Sequence, residues 1–214
     1  MGWLESLDEA VKRDPSGLDP GERRKISEDL VMLSSLGAAA VTYVPVPLSD
    51  FFLVTPVQAS MVMSVGRVHG RKIDLAEARR ILLELAAVCG VGILAQKGFA
   101  TLSKILLPGL GGLLAGPYAF AVTYGLGKVS IRYFESGGAA EGLKAVFEEA
   151  VRDGRRLFSR EKVAEFRKRR GQDVEEFARK HAAKAPRRAA KARTKAAKKA
   201  PKRAAKASRK GGRA

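Results

Sequence analysis

The stretch GAAAVTYVPVPLSDFFLVTPVQASMVMSVGRVHGRKID, Gly37–Asp74, returns 61 residues later as GFATLSKILLPGLGGLLAGPYAFAVTYGLGKVSIRYFE, Gly98–Glu135. Eight of the 38 aligned positions are identical. The identical pairs are Gly37/Gly98, Ala39/Ala100, Pro47/Pro108, Leu53/Leu114, Pro56/Pro117, Gly66/Gly127, Val68/Val129 and Arg71/Arg132. A repeat of this size usually represents one supersecondary unit that buries its apolar face against its copy. The sequence therefore predicts a duplicated helical unit.

Proline positions predict where helices in the repeat end and begin. We expect a helix over Ile26–Val41 that ends before Pro45 and Pro47, because a proline disfavours helical geometry in the residue before it. Thr55-Pro56 provides an N-cap and a first helical residue, and Gly116-Pro117 opens the counterpart helix in the second copy. The helix that follows Thr55 has almost no polar face, so we expect it to be buried or to lie in lipid.

Capping residues and glycines mark the next helices. Asp74-Leu-Ala-Glu77 is a capping signature after a stop at Gly70, and it opens an amphipathic helix. The counterpart helix of the second copy runs to about Phe134 and is followed by a break at Ser136–Gly138. Two charged helices then follow, with apolar residues at helical spacing. These residues are Leu143, Val146, Phe147, Ala150, Val151 and Leu157 in the first and Val163, Phe166, Val174 and Phe177 in the second.

Outside these segments we expect a short helix over Trp3–Arg13, a loop that contains Pro20, and a helix over Ala95–Leu107 before a turn at Pro108–Gly112. The chain has no convincing alternation of apolar and polar residues, so the predicted fold class is all-α. The predicted organisation is an N-terminal segment (1–24), a duplicated apolar core (25–137), amphipathic helices (138–181) and a disordered tail (182–214).

Three uncharged runs are long enough to raise the question of a membrane. They are Leu30–Ser49 with 20 residues, Phe51–Gly66 with 16 and Ile105–Gly127 with 23, against the roughly 20 that a spanning helix needs. Proline or glycine interrupts each run, so a simple straight span is not expected. Hairpins, broken helices and a compact bundle resting on the bilayer all remain open.

The net charge of +18 is concentrated at the C-terminus. Residues 182–214 carry 14 Lys or Arg and no Asp or Glu, which leaves a net charge of +4 on residues 1–181. The tail also holds 13 Ala and no aromatic residue. Such a composition buries too little apolar surface to fold alone, so we expect the tail to be disordered when free.

This tail is the strongest functional signal in the chain. Basic clusters bind polyanions by neutralising phosphates and releasing counterions, and they also bind anionic membrane surfaces. The composition suits DNA, RNA and acidic lipid equally, and without aromatic residues it predicts no sequence readout. The alternative is a solvated tail without a partner. The predicted polyanion-binding residues are Lys184, Arg187, Arg188, Lys191, Arg193, Lys195, Lys198, Lys199, Lys202, Arg203, Lys206, Arg209, Lys210 and Arg213.

No catalytic, cofactor-binding or metal-binding arrangement is predicted. Gly127-Lys128 fails the pattern of a phosphate-binding loop because Val129 follows the lysine. His69, His181 and Cys89 are too few ligands for a zinc site, and Cys89, the one cysteine, is expected to be a packed thiol. The Asp50 carboxylate has two possible roles: it binds a partner, or it caps a helix or a turn. The Pro-Leu-Ser-Asp segment in which it lies favours the cap.

A set of short motifs between about residues 30 and 137 resembles a known family. They are Val44-Pro-Val-Pro-Leu-Ser-Asp50, Gln58 with Met61, Leu107-Pro-Gly-Leu-Gly111, Thr123-Tyr-Gly-Leu-Gly127 and Tyr133-Phe-Glu135. Together they are similar to the YcjF-type domain of unknown function (the domain-of-unknown-function 697 family). The resemblance implies structural family positions at Pro47, Asp50, Gln58, Pro108, Gly109, Gly111, Thr123 and Gly127.

The resemblance also implies an all-helical, membrane-associated bacterial domain whose relatives are often fused to, or encoded beside, GTPases of the Era or dynamin-like type. This chain has no phosphate loop of its own, so a GTPase partner would act in trans. The tail separately resembles the Lys/Ala/Pro-rich tails of linker histones and some bacterial nucleoid proteins, by composition alone.

These observations predict a non-enzymatic tether on the cytoplasmic side of the bacterial inner membrane, whose tail contacts the nucleoid or anionic lipid. The alternative is a soluble accessory subunit, in the cytoplasm or at the nucleoid, that binds a GTPase through the apolar core. Turnover that depends on Asp50, His69 or Cys89 would overturn the non-enzymatic prediction.

Overall fold

The computed structural model describes residues 17–43, 49–91 and 111–182, and this part of the chain is all-α, as predicted. The predictions for Trp3–Arg13, Ala95–Leu107 and the tail beyond Ala182 lie outside the described residues. The helices are α1 (Pro20–Val41), α2 (Ser49–Val68), α3 (Leu75–Val88), α4 (Gly111–Glu135), α5 (Leu143–Leu157) and α6 (Arg160–Ala182).

Helix α1 begins six residues earlier than the sequence analysis predicted, and Pro20 lies in the helix rather than in a loop. Asp19 and Glu22 form a capping box. The backbone N–H of Glu22 donates to Asp19 Oδ1 at 2.9 Å, and that of Asp19 donates to Glu22 Oε2 at 3.2 Å. Proline is favourable at the first helical position because that N–H has no helical partner. The Asp-Pro-Gly-Glu segment is therefore a helix start.

The prediction that Thr55-Pro56 and Gly116-Pro117 open helices is wrong, because α2 and α4 begin about two turns earlier and contain the prolines. A proline inside a helix removes one backbone hydrogen bond and crowds the carbonyl four residues before it. The residues ahead of these prolines gain burial in return. Leu53 is fully buried ahead of Pro56, and Ala115 is buried ahead of Pro117. Burial on the core therefore outweighs the local stop signal.

The two copies of the repeat correspond along α2 and the matching part of α4, but α4 continues as a helix over residues 130–135, whereas the matched residues 69–74 lie beyond the end of α2. Helices α2 and α4 each hold a proline near the start and a buried glycine at the matching position further along. A Cβ on Gly66 would lie 2.6 Å from Ile73 Cδ1, and one on Gly127 would lie 2.5 Å from Val31 Cγ1. Both matched glycines therefore mark places where a neighbour packs directly against a helix backbone.

The ends of α1, α2 and α4 and the starts of α3 and α5 agree with the predictions, whereas α4 begins inside the predicted turn at Pro108–Gly112. Asp74 caps α3, since its Oδ1 accepts from the Glu77 backbone N–H at 2.7 Å. Gly70 has a positive φ of 77° after the end of α2, a conformation that glycine adopts without strain. The break at Ser136–Gly138 contains two further glycines with positive φ, and α5 follows it.

The helices pack around two hydrophobic clusters. The first joins α2, α3, α4 and α5 with Val31 of α1, and it includes the buried Met61, Leu82, Leu126 and Phe147. The second joins α1, α2, α4 and α6. Its fully or nearly fully buried members include Val41, Leu53, Val57, Phe120 and Val163. Helices from both sides of the predicted boundary at residue 137 contribute to both clusters.

Close contacts show the directions of the helices. Gly127 packs on Val31 and Gly116 on Tyr43, so α4 runs antiparallel to α1. A Cβ on Gly154 would lie 3.0 Å from Ala121 Cα, and one on Gly125 would lie 2.9 Å from Phe147 Cε2, so α5 runs antiparallel to α4. The end of α1, the first half of α4, the end of α5 and the start of α6 therefore lie at one end of the bundle. None of the helices in the described part of the chain combines the length and the apolar composition needed to cross a bilayer.

Candidate functional site

A buried hydrogen bond joins two of the residues that the resemblance singled out. Gln58 on α2 donates its Nε2–H to Thr123 Oγ1 on α4 at 3.0 Å. Gln58 is 8% exposed and Thr123 is fully buried. Buried polar groups need partners, so this bond ties the matched helices of the two repeats together. The sequence identified both residues but not their contact.

The other predicted family positions divide between the described and undescribed parts of the chain. Gly111 is the first residue of α4, and Gly127 is the buried contact with Val31. Asp50 lies in the first turn of α2, and its side chain is outside the described part. Pro47, Pro108 and Gly109 lie outside the described residues, as do the fourteen tail residues predicted to bind polyanions.

His69 makes a contact with α1 that the sequence analysis missed. Its Nε2 lies 3.3 Å from Ser27 Oγ, and its ring stacks on Phe134 with the centroids 6.4 Å apart. Burial lowers the pKa of His69, the nearby charge of Glu135 opposes this shift, and Arg23 adds to it. Ser27 is fully buried, so its hydroxyl is out of reach of a substrate. His69 and Ser27 therefore form a packing contact between α1 and the end of α2, and the imidazole of His69 is the group in it that can titrate.

An ion pair joins α1 and α4 on the surface. Lys128 Nζ lies 2.7 Å from Glu28 Oε1, and Arg24 Nε lies 3.5 Å from the same oxygen. The hydrogen bond from Lys128 lowers the pKa of Glu28, and burial opposes this shift only in part. Glu28 and Lys128 are 100 residues apart, so no local pattern in the sequence indicated the pair.

Cys89 is the packed thiol that the sequence predicted. It is 3% exposed, and its Sγ lies 3.8 Å from the Leu143 carbonyl oxygen. Burial raises the pKa of Cys89 to about 11, so the reactive thiolate is scarce at neutral pH. Among the described residues no group of three His, Cys, Asp or Glu side chains is placed to hold a metal ion.

The junction of α5 and α6 is a charged surface that the sequence analysis did not single out. The segment 152–170 holds nine Lys or Arg and three Asp or Glu. Two large apolar side chains are exposed beside it, Tyr118 at 36% and Leu157 at 41%. We call this surface the basic corner. It comprises the exposed residues Arg152, Arg155, Arg156, Arg160 and Lys162 with Tyr118 and Leu157.

Comparison with known proteins decides the family. A family model described as "Domain of unknown function (DUF697)" matches residues 21–156. The chain belongs to the DUF697 family. This confirms the resemblance to the YcjF-type domain, and it extends the match across α1 and most of α5.

A curated relative of this DUF697 protein is "Magnetosome membrane protein 22" of Magnetospirillum gryphiswaldense. The two are 28% identical over 151 residues, which cover 66% of this chain and 76% of the relative. No solved structure matches the chain.

All eight predicted family positions lie inside the DUF697 match, whereas α6 and the tail lie outside it. The likeness of the tail to linker-histone tails therefore stays a prediction from composition. The basic corner straddles the end of the match, since its α5 arginines are inside and its α6 residues outside.

Proposed function

We propose that this DUF697 protein is a non-enzymatic tether on the cytoplasmic side of a bacterial inner membrane. The folded helices associate with the membrane, and the tail binds polyanions, with nucleic acid as its main partner. The observation that carries the proposal is the relative described as a magnetosome membrane protein, which aligns over two-thirds of this chain.

The tail supports the second half of the tether. Fourteen basic residues without a carboxylate provide a dense positive charge, and each phosphate contact releases counterions. Binding of this kind ignores base sequence and weakens steeply with salt. The absence of aromatic side chains from 182–214 fits such non-specific contact, because the tail offers no aromatic ring on which a base could stack.

The experiment compares the full chain with a neutral-tail variant, in which all fourteen tail Lys and Arg residues are changed to Gln. Binding to duplex DNA and to phosphatidylcholine vesicles with or without phosphatidylglycerol is measured over a salt series. The tether predicts that the neutral-tail variant loses DNA binding but still binds the anionic vesicles. Equal DNA binding by the two proteins would contradict the role of the tail, and failure of both to bind vesicles would contradict the membrane role.

A second candidate is an accessory subunit that binds a GTPase in trans. The observation that favours it is the exposure of three apolar side chains of α3, where Leu75 is 50% exposed, Leu83 58% and Val88 45%. Exposed apolar area on a surface helix is available to a protein partner. A photo-crosslinking residue in place of Leu83 tests this candidate in cells. Covalent capture of a GTPase supports the accessory subunit, and its absence favours the tether.

A further inference from the structure

We propose that the folded helices carry their own docking site for anionic lipid headgroups, and that this site is the basic corner. The inference rests on the proposed membrane association and names the surface responsible for it. It assigns to the corner a membrane contact that is independent of the tail.

Charge outside the tail is concentrated at this corner. Residues 1–181 have a net charge of +4, whereas the segment 152–162, which holds the cations of the corner, has a net charge of +3, and the adjoining residues 163–170 add another +3. The rest of residues 1–181 therefore carries a net charge of −2. An anionic bilayer attracts clustered Lys and Arg residues that lie near its surface, and the attraction falls off within a Debye length. The corner is the part of the folded helices that such a surface would attract.

The corner is held firmly against the bundle. Only Phe158 and Ser159 separate α5 from α6, and Phe158 packs edge-on against Phe120 with the ring centroids 5.7 Å apart. Gly154 lets α5 lie directly on the Ala121 backbone. The inward-facing anchors leave the arginines of the corner outside, and the Arg156 side chain is 80% exposed. The cations are thus presented together on a rigid surface.

The acidic residues of the segment have local partners. Asp153 lies 3.8 Å from Arg156, Glu161 accepts a hydrogen bond from Ser159 at 2.6 Å, and Glu165 pairs with Arg169. Surface pairs of this kind are weak, so they reduce the positive field of the corner without removing it.

The apolar part of the corner favours lipid over nucleic acid. Tyr118 and Leu157 are exposed at the corner. Burial raises the pKa of Tyr118, and the positive charge of Arg155 opposes this shift. Tyrosine is favoured at the headgroup level of a bilayer, and leucine gains by inserting among the acyl chains. A neighbouring aromatic ring, Tyr43, is already covered by Arg167, whose guanidinium carbon lies 5.2 Å from the ring centroid. Nucleic acid would therefore have one open aromatic ring to stack on at the corner and no use for the exposed leucine, whereas a bilayer surface would contact both apolar side chains as well as the cations.

The test is a triple charge reversal, Arg155→Glu, Arg156→Glu and Arg160→Glu, made in the full-length neutral-tail variant. Binding to phosphatidylcholine vesicles with and without phosphatidylglycerol is measured by co-sedimentation. We expect the neutral-tail parent to bind only the anionic vesicles, and we expect the triple change to weaken that binding by at least about tenfold. Circular dichroism checks that the exposed substitutions leave the helices intact.

The matched control is Arg71→Glu, Lys72→Glu and Lys144→Glu, which changes the net charge equally at exposed residues away from the corner. We expect it to retain most of the vesicle binding. Equal loss in both variants would overturn the corner as a site, as would undiminished vesicle binding by the corner variant. Weaker duplex DNA binding when the same triple change is made in the chain with its natural tail, together with undiminished vesicle binding by the corner variant, would reassign the corner to nucleic acid. If the parent itself binds no vesicle, the proposed membrane function fails together with the corner.

Discussion

Gln58 and Thr123 show how single buried polar side chains contribute to this bundle. Each is desolvated, and each hydrogen-bonds a partner on another helix. The net gain from such a bond is modest, but leaving one partner unsatisfied is costly. The pair therefore favours one arrangement of α2 against α4 more than it adds to total stability.

We predict that Thr123→Val lowers the free energy of unfolding by about 1–3 kcal/mol, because the Gln58 amide then stays buried without its acceptor. The double variant, Thr123→Val with Gln58→Met, should lose less free energy of unfolding than the two single variants lose when their losses are added. Urea unfolding of the wild type, the two single variants and the double variant measures this coupling free energy. Strictly additive losses would show that the bond does not join the two helices energetically.

His69 makes the stability of the protein depend on pH. Its pKa is lowered in the folded state by burial, so the unfolded chain takes up a proton first as the pH falls below about 6.5. The contribution of His69 to the free energy of unfolding is fully present above the pKa of the unfolded chain. It is lost as the pH falls towards the lower pKa of the folded state. We predict that stability falls between about pH 7 and pH 5, and that His69→Gln flattens this dependence.

Thermal unfolding at several pH values measures the effect of His69→Gln. The variant His181→Gln, which removes the other histidine of the chain, is measured beside it, so that the part of the pH dependence that is specific to His69 can be separated. An identical pH profile for wild type and His69→Gln would contradict the assignment.

At the scale of helices, the sequence predicted which segments are helical better than it predicted where each helix begins. The cap at Asp74 could be predicted because neighbouring residues indicate it. Gly70 ends the preceding helix, and the Asp74 carboxylate stands directly before an amphipathic helical pattern. The starts of α2 and α4 were not readable, because burial of Leu53 and Ala115 decides them and burial depends on distant helices. The preference of proline for the first helical position therefore predicted helix starts at Pro56 and Pro117, where α2 and α4 are already helical.

The repeat, by contrast, was readable because matched glycines mark close packing. We predict that Gly127→Ala lowers the free energy of unfolding by about 1–3 kcal/mol, since the new Cβ would collide with the buried Val31. Val31→Ala should restore part of the loss when combined with it. Gly171→Ala is the control, because nothing lies within 4 Å of its Cβ position, and it should shift stability by less than about 1 kcal/mol.

Chemical denaturation of the single and double variants measures these effects. A Gly127→Ala protein as stable as wild type would show that α1 can move away from α4 freely, and the close contact would then have no structural role.

At the scale of the whole molecule, positive charge occurs in two separate places. The tail was evident from the sequence because it contains no carboxylate. The basic corner was not evident, because acidic residues are interspersed with its cations along two helices. The charge of Arg155 acts on Tyr118, which is 37 residues earlier in the chain, because α5 packs against α4. Amino-acid composition alone can reveal a charged segment such as the tail, whereas a surface such as the basic corner is recognised only when the fold is known.

The central claim is that the folded helices hold this DUF697 protein at the membrane without help from the tail. The most direct measurement is fractionation of bacterial cells that express either the full chain or the full-length neutral-tail variant, with both proteins followed in the membrane pellet and the supernatant. The account predicts that both proteins pellet with the membranes. If the full chain pellets and the neutral-tail variant stays in the supernatant, the tail is the anchor and the claim is wrong.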